Sequence, residues 1–176
     1  MNSEEKIVSL LKEKACTKQK IYRITKNIFA NFQDVLQEKA NILNNEVQDQ
    51  DVEVSYEESG DFDAKLKFSG DTLLFHMHSN IFDFDSSHQI HKTSYVKEDK
   101  MRSFCGVINI YNFLSDSLKY NRLNDAGFLI ARIFINKDNH FFVEGDKQLG
   151  FLFNDFVNQQ IDEVQICKII DTAMIY

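Results

Sequence analysis

Phe62-Asp63-Ala64-Lys65-Leu66-Lys67-Phe68, followed by Ser69-Gly70-Asp71 and then Thr72-Leu73-Leu74-Phe75-His76-Met77-His78, is the stretch on which the fold turns. Its first seven residues alternate apolar with charged side chains, the two-residue period of a strand with one face buried. Ser69-Gly70-Asp71 supplies a turn, and the same triplet, Ser59-Gly60-Asp61, stands ten residues earlier. Before that first turn, Val52, Val54 and Tyr56 alternate with acids. Three strands joined by Gly-containing turns make an antiparallel meander. On the third, Leu73, Phe75 and Met77 project to one side, and Leu74, His76 and His78 to the other.

Helical signals lie upstream. Ser3 before Glu4 and Glu5 reads as a capped helix start with acids at the positive end of the dipole. Ile7, Leu10 and Leu11 then share one face. Thr17 is placed to cap a second helix, whose Ile21, Ile24, Ile28, Phe32, Val35, Leu36, Ile42 and Leu43 recur near a 3.6 period. Running to Val47, that helix is about 31 residues, or ~46 Å, long. A domain of this size is narrower, so the helix either bends around the core or presents part of its stripe to another chain.

Downstream, residues 85–103 hold only Ile90, Tyr95, Val96 and Met101 as large apolar groups. Such a stretch is a functional loop, a mobile segment or a single short helix. Strand signals return at 104–113 and 128–135, the second apolar on both faces and so expected to be central. Residues 136–139 read as a four-residue turn into a strand at 140–144, and Gly145 opens a C-terminal helical stretch. The expected fold class is α+β in one domain, residues 1–176. Helical regions at 1–47 and 146–174 flank an antiparallel sheet of about six strands at 52–145.

The 176 residues carry 20 basic and 27 acidic side chains, a formal charge of −7, with neither Pro nor Trp. Leu, Ile, Val and Phe number 13, 17, 10 and 16, well above the proportion at which chains fail to bury a core. The missing Pro accompanies an excess of Lys over Arg and many Asn and Ile, the bias of an AT-rich coding sequence. Turns must therefore use Gly, Asn, Asp and Ser. The acidic balance argues against nucleic acid or an anionic membrane as partner. Its layout is uneven: residues 40–63 hold eight acids and no base. The preceding Lys12, Lys14, Lys18, Lys20, Arg23 and Lys26 suit an acidic partner or a solvated helix face equally well. The first thirty residues lack a signal-peptide core, and no apolar run spans a bilayer. Cys16, Cys105 and Cys167 stand singly, the usage of reduced thiols in a cytoplasmic protein. Cys105, within Phe104-Cys105-Gly106-Val107, reads as a small core residue.

Four of five histidines fall within sixteen residues, as His76-x-His78 and His88-x-x-His91, with Asp83 and Asp85 between them. His76 and His78 share one strand face, the start of many metal sites, and the other four complete a candidate ligand set. The alternative is a histidine pair on a solvated or covered strand face. Asp61, Asp63 and Lys65 after a helix resemble the start of the PD-(D/E)XK nucleases. That chemistry needs an acid-x-Lys on the following strand, and residues 72–78 contain neither acid nor lysine. Arg132, inside the apolar strand 128–135, must find a carboxylate, a carbonyl or a bound anion. A four-residue turn would set it opposite Val143 and turn Glu144 to the other face. A shift of one residue would make Glu144 its partner.

No phosphate-binding loop, dinucleotide fingerprint, zinc-protease or serine-hydrolase motif is present, and no cofactor is expected. The resulting reading is a non-enzymatic cytoplasmic module that binds a protein partner or a second copy of itself through the N-terminal helix, in the manner of a chaperone or adaptor. In element order the chain resembles the small acidic dimeric chaperones of type III secretion, which implies a protein partner. The alternative is a metal- or small-ligand-binding protein, a hydrolase included, built on His76, His78 and the 83–91 loop. Ala173-Met174-Ile175-Tyr176 lacks a polar stop, as in a piece of a longer chain.

Overall fold

A computed structural model describes residues 2–49, 51–122 and 127–176. Helix α1 (Ser3–Leu10) is capped one residue earlier than expected. The Asn2 side chain accepts from Glu5 N at 2.8 Å, and the Glu5 carboxylate accepts from Asn2 N at 2.8 Å. The expected break before Thr17 is absent. α1 passes through a π turn (Leu11–Ala15) into α2 (Cys16–Val47), and Thr17 lies inside the helix. No Gly or Pro interrupts residues 10–17, and the wide turn absorbs the extra residue without ending the ladder. α2 stops at Gln48, which takes the left-handed conformation at φ 49°.

Seven antiparallel strands follow: β1 (Val54–Glu58), β2 (Asp63–Phe68), β3 (Asp71–Met77), β4 (Phe82–Asp83), β5 (Phe104–Leu114), β6 (Phe128–Asn136) and β7 (Phe141–Gly145). Their order is β1-β2-β3-β5-β6-β7, with the two-residue β4 also paired to β5. The three-strand meander is as the alternation predicts, while β6 sits one strand in from the edge, leaving β5 at the centre. One face of the sheet carries Ala64, Leu66, Leu73, Phe75, Ile108 and Ile133, all at 0% exposure. α2 packs on this face with Phe29, Phe32 and Leu36, and the C-terminal helix lies beside it. Numbering the remaining helices in chain order, α3 is Ser94–Glu98, α4 Ser115–Lys119, α5 Lys147–Leu152 and α6 Glu163–Ile175. Asp162 caps α6, accepting from Gln165 N at 2.8 Å.

The opposite face is covered at one end only. Residues 85–103 form short helices: a 3₁₀ turn at Gln89–Lys92, α3, and a second 3₁₀ turn at Lys100–Ser103. Each begins at a side-chain cap, from His88, Thr93 and Asp99 in turn. They press Ile90 and Val96, together with Phe84, onto Cys105, Val107 and Phe134 as a second apolar cluster. Buried Asn136 holds them down. Its amide donates to Tyr95 Oη at 3.1 Å and Arg102 O at 3.3 Å.

The β6–β7 turn corrects the expected register. Asn136 pairs with His140, leaving three residues in the loop, and Asn139 takes φ 62°. Asn136 Oδ1 accepts from Asp138 N at 2.9 Å and His140 N at 3.1 Å, closing the shorter turn. Arg132 therefore lies opposite Glu144, and Val143 opposite Ile133.

Candidate functional site

The registers of four strand pairs align five polar residues across the uncovered part of the second face. Asp63 on β2 pairs with His76 on β3, His76 with Asn109 on β5, Asn109 with Arg132 on β6, and Arg132 with Glu144 on β7. All five share this side because each lies one residue from an inward-facing neighbour: Ala64, Phe75, Ile108, Ile133 and Val143. At one end of the row His76 Nδ1 lies 2.7 Å from Asp63 Oδ1. At the other, Glu144 Oε1 is 3.8 Å from His88 Nε2.

The middle of the row is unsatisfied. Arg132 forms no ion pair with Glu144 or with any other described acid, although Glu144 is its direct cross-strand neighbour. Asn109 is only 8% exposed, and its Oδ1 has no hydrogen-bond partner among the described residues. Beside these two residues a recess of about 420 Å³ opens, walled by Phe134, Val107, Tyr111 and Phe82. A larger recess, about 600 Å³, lies over β1–β3 and α4. Two of its lysines are already engaged, Lys65 with Glu57 at 3.0 Å and Lys67 with Glu53 at 3.5 Å.

The histidine set disperses. His76 and His78 share a face, with ring centroids 6.5 Å apart, but His76 is held by Asp63 and His78 accepts from Asn80 N at 3.1 Å. His88 accepts from Ile90 N at 3.3 Å, and His91 Nε2 lies 3.2 Å from Phe84 O. Asp83 pairs with Lys14 at 3.5 Å, and Asp85 accepts from Ser87 N at 2.9 Å. That backbone bond holds the Asp85 carboxyl below its ordinary value. Among the described residues no three His, Cys, Asp or Glu converge to hold a metal ion. Asp63-Ala64-Lys65 lies on β2, and its two ionic residues pair away, with His76 and Glu57.

The other feature that stands apart is the start of the long helix. No residue of α1 or of the π turn is buried, and the first buried residue is Ile21. Ile7, Leu10 and Leu11 are 56%, 61% and 56% exposed. The helix first meets the sheet at Lys14, whose ammonium lies 5.1 Å from the Phe104 ring centre, with Lys18 at 5.3 Å. Part of the basic stretch is thus spent within the chain, since Lys26 also pairs with Asp61 at 3.2 Å. No helix among the described residues is long and apolar enough to cross a membrane.

Sequence reasoning missed Asn109 and Tyr111. An Asn inside an apolar strand is a signal only once its face is known, and that face is the side opposite Ile108 and Ile110. No protein-family model, no curated protein and no solved structure matches this chain.

Proposed function

We propose that this protein is a self-associating module, without catalysis of its own, in which the leading turns of the long helix pair with those of a second copy. The observation that carries the reading is the stripe Ile7, Leu10 and Leu11, more than half exposed on a helix whose burial begins only at Ile21. An amphipathic helix keeps such a stripe in water only at a cost, which a second helix relieves. Charge favours an antiparallel pair. Glu4 and Glu5 at one end of the arm then lie near Lys12 of the other copy, and opposed helix dipoles add to the attraction.

Three large aliphatic side chains from each copy contribute on the order of 10 kcal/mol when buried. The loss of rigid-body freedom on association is of similar size. The pair is accordingly reversible, which suits an adaptor or chaperone that exchanges its own copy for a client helix of like pattern. Three unpaired cysteines accord with a reducing compartment such as the cytoplasm. Sedimentation velocity over a wide concentration range tests the proposal. A monomer–dimer equilibrium is expected, abolished by Leu10→Glu with Leu11→Glu while the circular dichroism spectrum is kept. A strictly monomeric wild type at millimolar concentration overturns it.

A further inference from the structure

We propose that the recess beside Arg132 is a binding site for a small zwitterion, an α-amino acid with an apolar side chain. Arg132 and Glu144 are direct cross-strand neighbours, a position from which opposite charges ordinarily meet, yet they make no ion pair. Glu144 leans instead toward His88, 3.8 Å away. One cation and one anion thus stand side by side without pairing to each other, and Glu144 has only the long contact to His88. A simple anion would satisfy Arg132 but sit against Glu144, and a simple cation would meet the reverse conflict. A ligand with a carboxylate and an ammonium a few ångströms apart satisfies both.

Asn109 supplies the independent observation. It is 8% exposed, lines the same recess, and its Oδ1 has no partner. A buried acceptor left unpaired costs free energy that a donor from a ligand restores. Its place in the row, next to Arg132, makes it a second acceptor for the ammonium hydrogens. Most of the remaining wall is apolar or aromatic, from Ile81, Phe82, Val107 and Phe134, with His78 and Asn80 the further polar residues, and it offers contact chiefly to a hydrocarbon side chain. About 420 Å³ is ample for a free amino acid. Ile7, Leu10 and Leu11 are not among the residues that line the recess, and the site does not depend on self-association.

The full chain is titrated by calorimetry with L-phenylalanine and L-leucine, and with the two half-ligands 3-phenylpropanoate and phenethylamine. Saturable binding of at least one amino acid is expected, about tenfold or more tighter than either half-ligand. Arg132→Gln, at an exposed position, should weaken it about tenfold or more with the melting temperature unchanged. Asn109→Leu, which removes the orphaned acceptor, should weaken it as well. The Leu10→Glu, Leu11→Glu variant should bind as the wild type does, which separates this site from the helix arm. Absence of saturable binding for both amino acids, equal affinity for 3-phenylpropanoate, or full affinity in Arg132→Gln overturns the proposal.

Discussion

Thr25 occupies the space that any side chain on Gly106 would need. A Cβ at Gly106 would lie 1.9 Å from Thr25 Oγ1 and 2.8 Å from Thr25 Cβ. The hydroxyl is itself committed, donating to Ile21 O at 2.9 Å within the buried helix face. α2 therefore crosses β5 at a point where only glycine lets the two backbones approach. Gly106→Ala should cost about 2 kcal/mol or more through overpacking, read as a lower urea midpoint with an unchanged slope. Adding Thr25→Ala, which removes the Oγ1 and Cγ2 contacts, should recover part of the loss. An unaltered midpoint in Gly106→Ala would show that the helix does not seat there.

Asn136 is at 0% exposure and joins three segments through one amide. It closes the β6–β7 turn and ties down both Tyr95 and Arg102. Asn136→Ala should lower stability by about 2–3 kcal/mol, because buried groups on both sides lose their partners. The cap of short helices should loosen first. Limited proteolysis should then cut within residues 85–103 faster than in the wild type, and an unchanged cleavage pattern would refute the role.

Asp99 hydrogen-bonds Lys137, and that bond is the main reason its carboxyl sits below the ordinary value of 3.8. A carboxylate whose pKa is lower in the folded chain stabilises it above the unfolded value. The contribution fades as pH falls from there through the folded value. Asp99→Asn should therefore melt below the wild type at pH 7, with the gap narrowing once pH drops under about 3.8. The cap on Met101 N, which asparagine can also supply, is kept in this variant, so a gap that stays constant into acid would refute the role of the Lys137 pair.

Thiol reactivity should rank the three cysteines. Cys16 is exposed, Cys167 intermediate and Cys105 buried, and burial pushes the Cys105 thiol well above its ordinary 9.0. With a disulfide reagent at pH 8, Cys16 should react fastest and Cys105 only on the timescale of unfolding. Mass mapping of the labelled peptides reads the order. Rapid labelling of Cys105 in the native protein would contradict its place under the apolar cluster of Phe84 and Val96.

The parts of the fold legible in the sequence are those with short-range causes. Alternation at 62–68, the repeated Ser-Gly-Asp turns and the stripe from Ile21 to Leu36 each specify an element from neighbours alone. The short helices at 89–103 were not separable from a loop. Their stability rests on single capping side chains and on Asn136, forty residues away in places. The π turn left no mark either, since Leu11 to Ala15 are ordinary helix formers. For the candidate site, His76 and Arg132 were recognisable by type and Glu144 as the residue one register step from Arg132, whereas Asn109 between them was not.

The alternation of side chains determined which face of each strand His76, Asn109, Arg132 and Glu144 could occupy relative to its own neighbours. Whether those faces coincide, and which residues meet, depended on register. A two-residue period makes a one-residue difference in the 137–139 turn decide between Val143 and Glu144 opposite Arg132. That difference was settled by the left-handed Asn139 and the side-chain bonds of Asn136. In the same way, the helix stripe was written locally, but the point where it leaves the core, at Ile21, was decided only by the extent of the sheet beneath it.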